Sequence, residues 1–152
     1  MTEEKKIEDK VLLADQLHNA GFNCSQSVFA ALAPGLGLEQ EVALKISAAF
    51  GGGIARTGET CGAVTGALMA IGLKDGFAAP DPAAKERIYA LGLQLLTRFA
   101  ALHGSTRCRE LLGCDLSTPE GMAEAKELNV FKTQCPLYIK DAVKIASEML
   151  TD

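Results

Sequence analysis

Apolar residues recur at helical spacing along most of the chain, and capping residues, prolines and glycines separate the periodic segments. In the first segment Ile7, Val11, Ala14 and Leu17 share one helical face, and Gly21 follows as a stop. No run of alternating β-branched residues is long enough to predict a strand. The pattern therefore predicts helices over about 2–20, 23–33, 39–50, 60–74, 81–103, 117–129 and from 136 to near the chain end.

The predicted helix over 60–74 differs from the others because it carries no charge before Lys74. A helix that is apolar all round is typical of a buried element, so we expect it at the centre of the fold. Gly62, Gly66 and Ala70 recur every four residues along it and form a smooth stripe that allows close approach of another helix. The predicted architecture is all-α: a single-domain bundle, residues 1–152, of six or seven helices around a central apolar helix at about 60–74.

Composition and charge exclude several classes of protein. The chain has 152 residues with 15 Lys+Arg against 19 Asp+Glu, a formal charge of −4, so it lacks the basic balance of a nucleic-acid-binding protein. Residues 1–10 alternate both signs of charge and contain no apolar signal segment. The uncharged stretch over 61–73 is too short to span a bilayer. We therefore expect a cytoplasmic protein with neither nucleic acid nor membrane as a partner.

Five cysteines provide the candidate chemistry, because an odd number of thiols in a reducing compartment indicates thiols that react or bind metal. Cys24 and Cys61 are predicted at the first residue of a helix, and Cys135 at the N-cap of the last helix. The N–H groups and dipole at a helix N-terminus lower the pKa of a thiol. Cys108 lies between Arg107 and Arg109, which favour its thiolate too.

Cys114 lies in a less favourable context, because Asp115 follows it and disfavours ionisation. The alternative for every cysteine is a structural role, since buried cysteine is common in cores and usually inert. Such cysteines are expected in the middle of helices, on apolar faces, whereas four of these five lie in contexts that favour a thiolate.

The glycine-rich segment over 51–66 (GGGIARTGETCGAVTG) leads into the predicted helix that begins near Cys61. Glycine permits positive φ and close backbone approach, so Gly51, Gly52, Gly53 and Arg56 are candidates for a loop that holds an anion or substrate carboxylate beside Cys61. The alternative is a tight interhelical turn without a ligand, and the segment taken alone favours that turn. It matches neither a phosphate-binding loop nor a dinucleotide fingerprint.

Metal ligation is the other chemistry open to these side chains. His18 and His103 are candidate ligands, and His103 precedes Cys108 and Cys114 closely enough for a mixed site. No pair of cysteines has the CxxC spacing usual in zinc fingers and ribbons, and the absence of CxxCH excludes covalent haem. Histidines without a nearby partner are more often helix-end or surface residues.

The segment CGAVTG at 61–66 resembles the C_GCAxxG_C_C family of bacterial and archaeal proteins, which are described as redox-active. The resemblance continues over 67–73 and 104–113 and at Cys135-Pro136, and it extends over about 23–150. It implies that Cys24, Cys61, Cys108 and Cys135 are the family cysteines and that Cys114 is additional. Thr60 stands where the family name suggests a glycine. Selenocysteine-containing relatives belong to the resemblance, which favours redox use of these positions.

Three functions follow as hypotheses. The first is thiol–disulfide chemistry that requires no cofactor, with Cys61 as the lead thiolate, Cys24 or Cys135 as the resolving thiol, and an unknown redox partner or small-molecule thiol as substrate. The second is a zinc or iron–sulfur site formed by the same four thiolates, Cys24, Cys61, Cys108 and Cys135. The third is a structural or adaptor homodimer in which the cysteines are buried and inert. Whether the chain is a thiol oxidoreductase is left open by the sequence.

Overall fold

The computed structural model describes residues 1–151, and its regular elements are helices. Residue 152, the last of the expected domain, lies outside the described residues. Residues 1–151 contain nine α-helices: α1 (Glu3–Asn19), α2 (Cys24–Leu32), α3 (Gln40–Ile46), α4 (Gly62–Asp75), α5 (Pro82–His103), α6 (Cys108–Leu112), α7 (Pro119–Glu127), α8 (Val130–Thr133) and α9 (Cys135–Leu150). Turns of 3-10 helix lie at Ala33–Leu36 and Ala48–Phe50. The all-α fold in one compact domain is thus confirmed.

All seven predicted helices are present, and two short ones were not predicted. Helices α6 and α8 contain only five and four residues, too few for a hydrophobic period to appear in the sequence. The predicted helix over 39–50 is divided in two, because α3 ends at Ile46 and a 3-10 turn follows. At this break the Ser47 hydroxyl donates a hydrogen bond to the Ala43 carbonyl oxygen at 2.7 Å.

Capping residues define where the helices begin. Asn23 and Gln26 form a capping box at the start of α2, in which each side chain accepts from the other residue's backbone N–H. The Asp81 carboxylate caps α5 ahead of Pro82, and the Thr118 hydroxyl caps α7 ahead of Pro119. These capping contacts join residues two or three positions apart, so the helix starts depend on local sequence, and the predicted helix ranges begin close to them.

Helix α4 packs against α2, α5 and α9, and its stripe of small residues lies against α2. A Cβ added at Gly66 would lie 2.7 Å from the Ser25 carbonyl oxygen, and one at Gly62 would lie 2.9 Å from the Ser25 nitrogen. Both glycines are therefore needed for the two helices to approach this closely. The C-terminal end of α4 is partly open to solvent, since Leu73 keeps 38% of its surface exposed. The helix is apolar all round without being enclosed on all sides.

Of the helices within residues 1–151, none combines the length and hydropathy needed to cross a bilayer.

Candidate functional site

Four of the five cysteines line one cavity of about 560 Å³, although they come from four different helix starts. Cys24, Cys108 and Cys135 are the first residues of α2, α6 and α9, and Cys61 is the N-cap of α4. Cys24 is half-buried and the other three are buried. All five cysteines are free thiols. Cys114 is buried as well but does not line this cavity.

A short antiparallel contact between two loops positions Cys61 and Cys108. Thr60 and Arg107 form an isolated β-bridge, in which the Cys61 N–H donates to Thr106 and the Cys108 N–H donates to Glu59, both at 2.7 Å. Cys61 and Cys108 each follow a bridged residue, so they are diagonal neighbours on the same side of the ladder. The bridge therefore brings the two thiols to one wall of the cavity.

Close packing of α2 on α4 positions Cys24. The Asn23 side chain caps α2 and also donates a hydrogen bond to the Ala48 carbonyl oxygen at 2.9 Å, which joins the helix start to the glycine-rich loop. A Cβ added at Gly62 would lie 3.2 Å from the Cys24 Cβ atom. The missing side chain at Gly62 thus lets Cys24 lie directly beside the start of α4.

The glycine-rich loop contains a left-handed turn that forms part of the cavity wall. Five consecutive residues have positive φ: Gly52 (66°), Gly53 (71°), Ile54 (66°), Ala55 (51°) and Arg56 (65°). Backbone hydrogen bonds close the turn, from Arg56 N–H to Gly51 and from Gly58 N–H to Gly52, both at 3.1 Å. A non-glycine residue in this region costs about 1–2 kcal/mol. The surrounding structure therefore holds Ala55 and Arg56 at the cavity against their local preference.

Substitutions within this turn are expected to have opposite effects on stability. A Cβ at Gly53 would lie 2.7 Å from the Cys108 Cβ atom and from the Glu59 backbone, so Gly53→Ala should lower the free energy of unfolding by about 2 kcal/mol or more. Ala55→Gly should raise it by about 1 kcal/mol, because glycine adopts positive φ without a steric cost. Urea titration of both variants measures the difference, and a destabilised Ala55→Gly would contradict the strain.

The thiols of Cys24 and Cys135 are neighbours in the cavity, and their interaction shifts the pKa values of the two groups in opposite directions. The pKa of Cys135 is lowered, first by the hydrogen bond from Cys24 and then by its own backbone N–H, although burial opposes the shift. The pKa of Cys24 is raised well above its ordinary value by the same hydrogen bond and by burial. One thiolate shared by two neighbouring sulfur atoms is the arrangement needed for disulfide exchange.

Burial outweighs the favourable helix N-terminus at Cys61. The N–H groups of Ala63 and Val64 favour the Cys61 thiolate, but burial raises the pKa of this thiol to about 11. At Cys108 burial raises the pKa to about 12, with the sulfur of Cys61 as the next cause. The Arg107 guanidinium does not lower the pKa of Cys108, because it lies near the carboxylates of Glu59 and Glu110. The sequence contexts that favour a thiolate are therefore overridden at both thiols.

The remaining candidates lie outside the thiol cluster or at its margin. Burial raises the pKa of Cys114, with Glu124 as a second cause. The His103 Nε2 atom is 2.8 Å from an Asp141 oxygen, and the imidazole ring packs on Phe99 and Tyr138. These contacts give His103 a structural role, and they do not place it in a mixed metal site with Cys108 and Cys114. His18 lines the cavity, where its Nε2 atom is 2.9 Å from the Phe131 carbonyl oxygen.

The arrangement of the potential metal ligands bears on the zinc alternative. Within residues 1–151, no three His, Cys, Asp or Glu side chains come together as ligands for one ion. The four thiols share a cavity, but they do not form the tetrahedral set that zinc requires. The zinc alternative does not fit this arrangement.

Part of the cavity wall was not predicted from the sequence. Its apolar surface includes Leu111, Leu116, Met122 and Phe131, which come from the loops and short helices between α5 and α9. Lys126 on α7 and Tyr138 on α9 line the cavity as well. The Tyr138 hydroxyl donates to the Leu111 carbonyl oxygen at 3.0 Å. None of these residues belongs to a motif, so only the folded chain identifies them.

Comparison with known proteins gives one match. A family model described as "Putative redox-active protein (C_GCAxxG_C_C)" matches residues 22–149, which include all four cavity cysteines. No curated protein and no solved structure gives a significant match.

Proposed function

Since the chain belongs to the C_GCAxxG_C_C family of redox-active proteins, we propose that it performs thiol–disulfide exchange, with Cys135 as the attacking thiolate and Cys24 as the resolving thiol. The single observation that carries this proposal is that the two thiols are neighbours in a shared cavity, where their interaction lowers the pKa of Cys135 and raises that of Cys24. The lower pKa favours the thiolate of Cys135, which is the nucleophilic form.

This assignment replaces Cys61 as the lead thiol. Cys61 was expected to attack because it was placed at a helix N-terminus, but burial raises its pKa to about 11. At neutral pH such a thiol is almost entirely protonated and reacts slowly. Cys61 and Cys108 then line the cavity as neutral thiols beside the reacting pair.

The proposed reaction has two exchange steps that balance. The Cys135 thiolate attacks one sulfur of a substrate disulfide, which forms a mixed disulfide and releases the first substrate thiolate. The Cys24 thiol then loses its proton and attacks the Cys135 sulfur, which forms a Cys24–Cys135 disulfide and releases the second. Two electrons pass from the protein to the substrate disulfide, and the one proton held by Cys24 leaves with the products, so that one substrate half is released as a thiolate and the other as a thiol. A dithiol reductant reverses the protein's oxidation between turnovers.

Alkylation resolved by peptide tests which thiol leads. With iodoacetamide at pH 8, we expect Cys135 to be modified first and Cys61 and Cys108 last, because only the pKa of Cys135 is lowered. Cys24→Ala removes the hydrogen-bond donor, so the midpoint of the pH profile of Cys135 should move to higher pH. Cys24→Ser keeps a donor and should move it less. Faster modification of Cys61 than of Cys135 would reject the assignment.

An iron–sulfur cluster is larger than a single metal ion, so the iron–sulfur alternative needs a separate test. Native mass of anaerobically purified protein would include iron and sulfide if the four thiols hold a cluster. A metal-free mass that falls by two hydrogens on mild oxidation and recovers on reduction would support the dithiol.

A further inference from the structure

The size and the apolar lining of the cavity, together with the low exposure of Cys135, indicate a class of substrate. Its volume of about 560 Å³ is within the range of small-molecule sites, and most of its lining is apolar. The proposed nucleophile Cys135 keeps only 4% of its surface exposed. A disulfide on the surface of a folded protein cannot reach such a thiol, whereas a small molecule that enters the cavity can.

Apart from the proposed Cys135 thiolate, the charged side chains that line the cavity are cations. Arg56 and Lys126 line it, and no Asp or Glu is among its lining residues. Within residues 1–151 neither cation forms an ion pair with a carboxylate, whereas Arg98 and Arg107 do. Both side chains are exposed, so their charges face solvent beside the cavity. On a chain with a formal charge of −4, this positive region is a local exception.

The placement of Arg56 is specific, because it belongs to the left-handed turn. Its φ of 65° lies in the region that non-glycine residues avoid, and its side chain passes over Gly52. A Cβ at Gly52 would lie 2.8 Å from the Arg56 Cγ atom, so the glycine leaves room for the side chain. Lys126 reaches the same cavity from α7, which comes from a distant part of the sequence.

The geometry points to a low-molecular-weight organic disulfide with an anionic group as the substrate, held by Arg56 and Lys126 while its apolar part packs on Met122 and Phe131. This inference rests on the proposed thiol–disulfide function and adds the chemical class that the site selects. The substrate disulfide is the oxidant, it takes two electrons from Cys24 and Cys135, and its anion remains bound at the cations throughout the attack. An unpaired cation attracts such a group and raises the rate of productive encounter.

Two aromatic disulfides of different charge test the inference on the full chain. The anionic probe is 5,5′-dithiobis(2-nitrobenzoate), and the neutral probe is 4,4′-dithiodipyridine. Each is mixed with the reduced protein, and the single-turnover rate is followed by absorbance. In the double variant Arg56→Gln/Lys126→Gln, the ratio of the anionic to the neutral rate should fall by about tenfold or more, since two attractive charges are lost. The matched control is Lys132→Gln, which removes an exposed cation of α8 outside the cavity lining and should leave the ratio unchanged.

The outcomes separate the two proposals. A rate ratio in the double variant equal to that of the wild type overturns the anion site, even if both probes oxidise Cys24 and Cys135. Peptide mapping that finds the mixed disulfide on another cysteine overturns the proposed function. Added salt should slow the anionic probe selectively in the wild type and much less in the double variant, because exposed charges are screened. This second measurement keeps the test independent of small changes in fold.

Discussion

Replacing Cys135 by serine should lower the single-turnover rate of disulfide reduction by at least about a hundredfold, because serine at neutral pH is not a nucleophile for sulfur. The structural reason is that the pKa of Cys135 alone among the cavity thiols is lowered, by the Cys24 hydrogen bond. The measurement is the rate of thiolate release from an aromatic disulfide mixed with reduced protein. Serine nearly preserves the volume of the side chain, so the fold should be retained.

Cys24→Ser should give a different result from Cys135→Ser. Without a resolving thiol, the mixed disulfide on Cys135 should accumulate and be visible as an added mass on the intact protein and on the Cys135 peptide. Cys114→Ser is the matched control, since Cys114 is buried outside the cavity and should leave both rate and product unchanged. Equal rates in wild type and Cys135→Ser, or a persistent adduct on Cys61, would contradict the proposed order of attack.

Alkaline pH should destabilise the protein strongly, because buried thiols must remain protonated to stay in the fold. The pKa of Cys61 is raised from 9.0 to about 11 and that of Cys108 to about 12. Above pH 9 the unfolded thiols lose their protons while the folded ones keep them, so the free energy of unfolding falls as pH rises. For the nearly fully buried Cys61, a difference of about two pH units between the folded and the unfolded pKa corresponds to a loss of about 2 kcal/mol by pH 11. Cys108 contributes in the same direction, reduced by its greater access to solvent.

Urea unfolding at pH 7, 9, 10 and 11 under reducing conditions measures this effect. Cys61→Ala is the informative variant, because it removes the titrating group along with part of the packing. Its stability at pH 7 should be lower than that of the wild type, but the stability that it loses between pH 9 and pH 11 should be smaller by about 2 kcal/mol. Lysine and tyrosine side chains titrate equally in both proteins, so their contribution cancels in the comparison. Parallel pH profiles would show that Cys61 does not titrate with a raised pKa.

Prediction of the fold succeeded where the determining contacts are local. The helices predicted from about residues 23 and 81 are present. The first begins at the capping box of Asn23 and Gln26 and the second at Asp81-Pro82, and each of these signals lies within a few residues. The glycine stripe on α4 indicated close approach of another helix, but the identity of α2 as that helix depends on contacts between residues distant in the chain. Helices α6 and α8 are shorter than the window in which periodicity is measurable.

The candidate site was predicted in part. The sequence and the family resemblance identified Cys24, Cys61, Cys108 and Cys135, and the fold places these four around one cavity. The sequence also identified the glycine-rich loop and Arg56 as candidates for ligand binding. That role remains a proposal, and the cationic side chains of the cavity lining support it. The positive φ of Ile54 and Ala55 was not predictable, because neither residue type favours that conformation and tertiary contacts impose it.

That this chain forms helices, where most of them begin, and which four thiols belong to its family's pattern are properties that can be predicted from the sequence. They follow from hydrophobic periodicity, capping side chains and motif residues, all of which act over short distances along the chain. Which thiol has the lowest pKa depends on contacts that form only in the folded chain. A pKa depends on burial and on the groups that are neighbours in space. Cys24 lowers the pKa of Cys135 and so favours the Cys135 thiolate. Burial raises the pKa of Cys61, the nucleophile expected from the sequence, and so disfavours its thiolate.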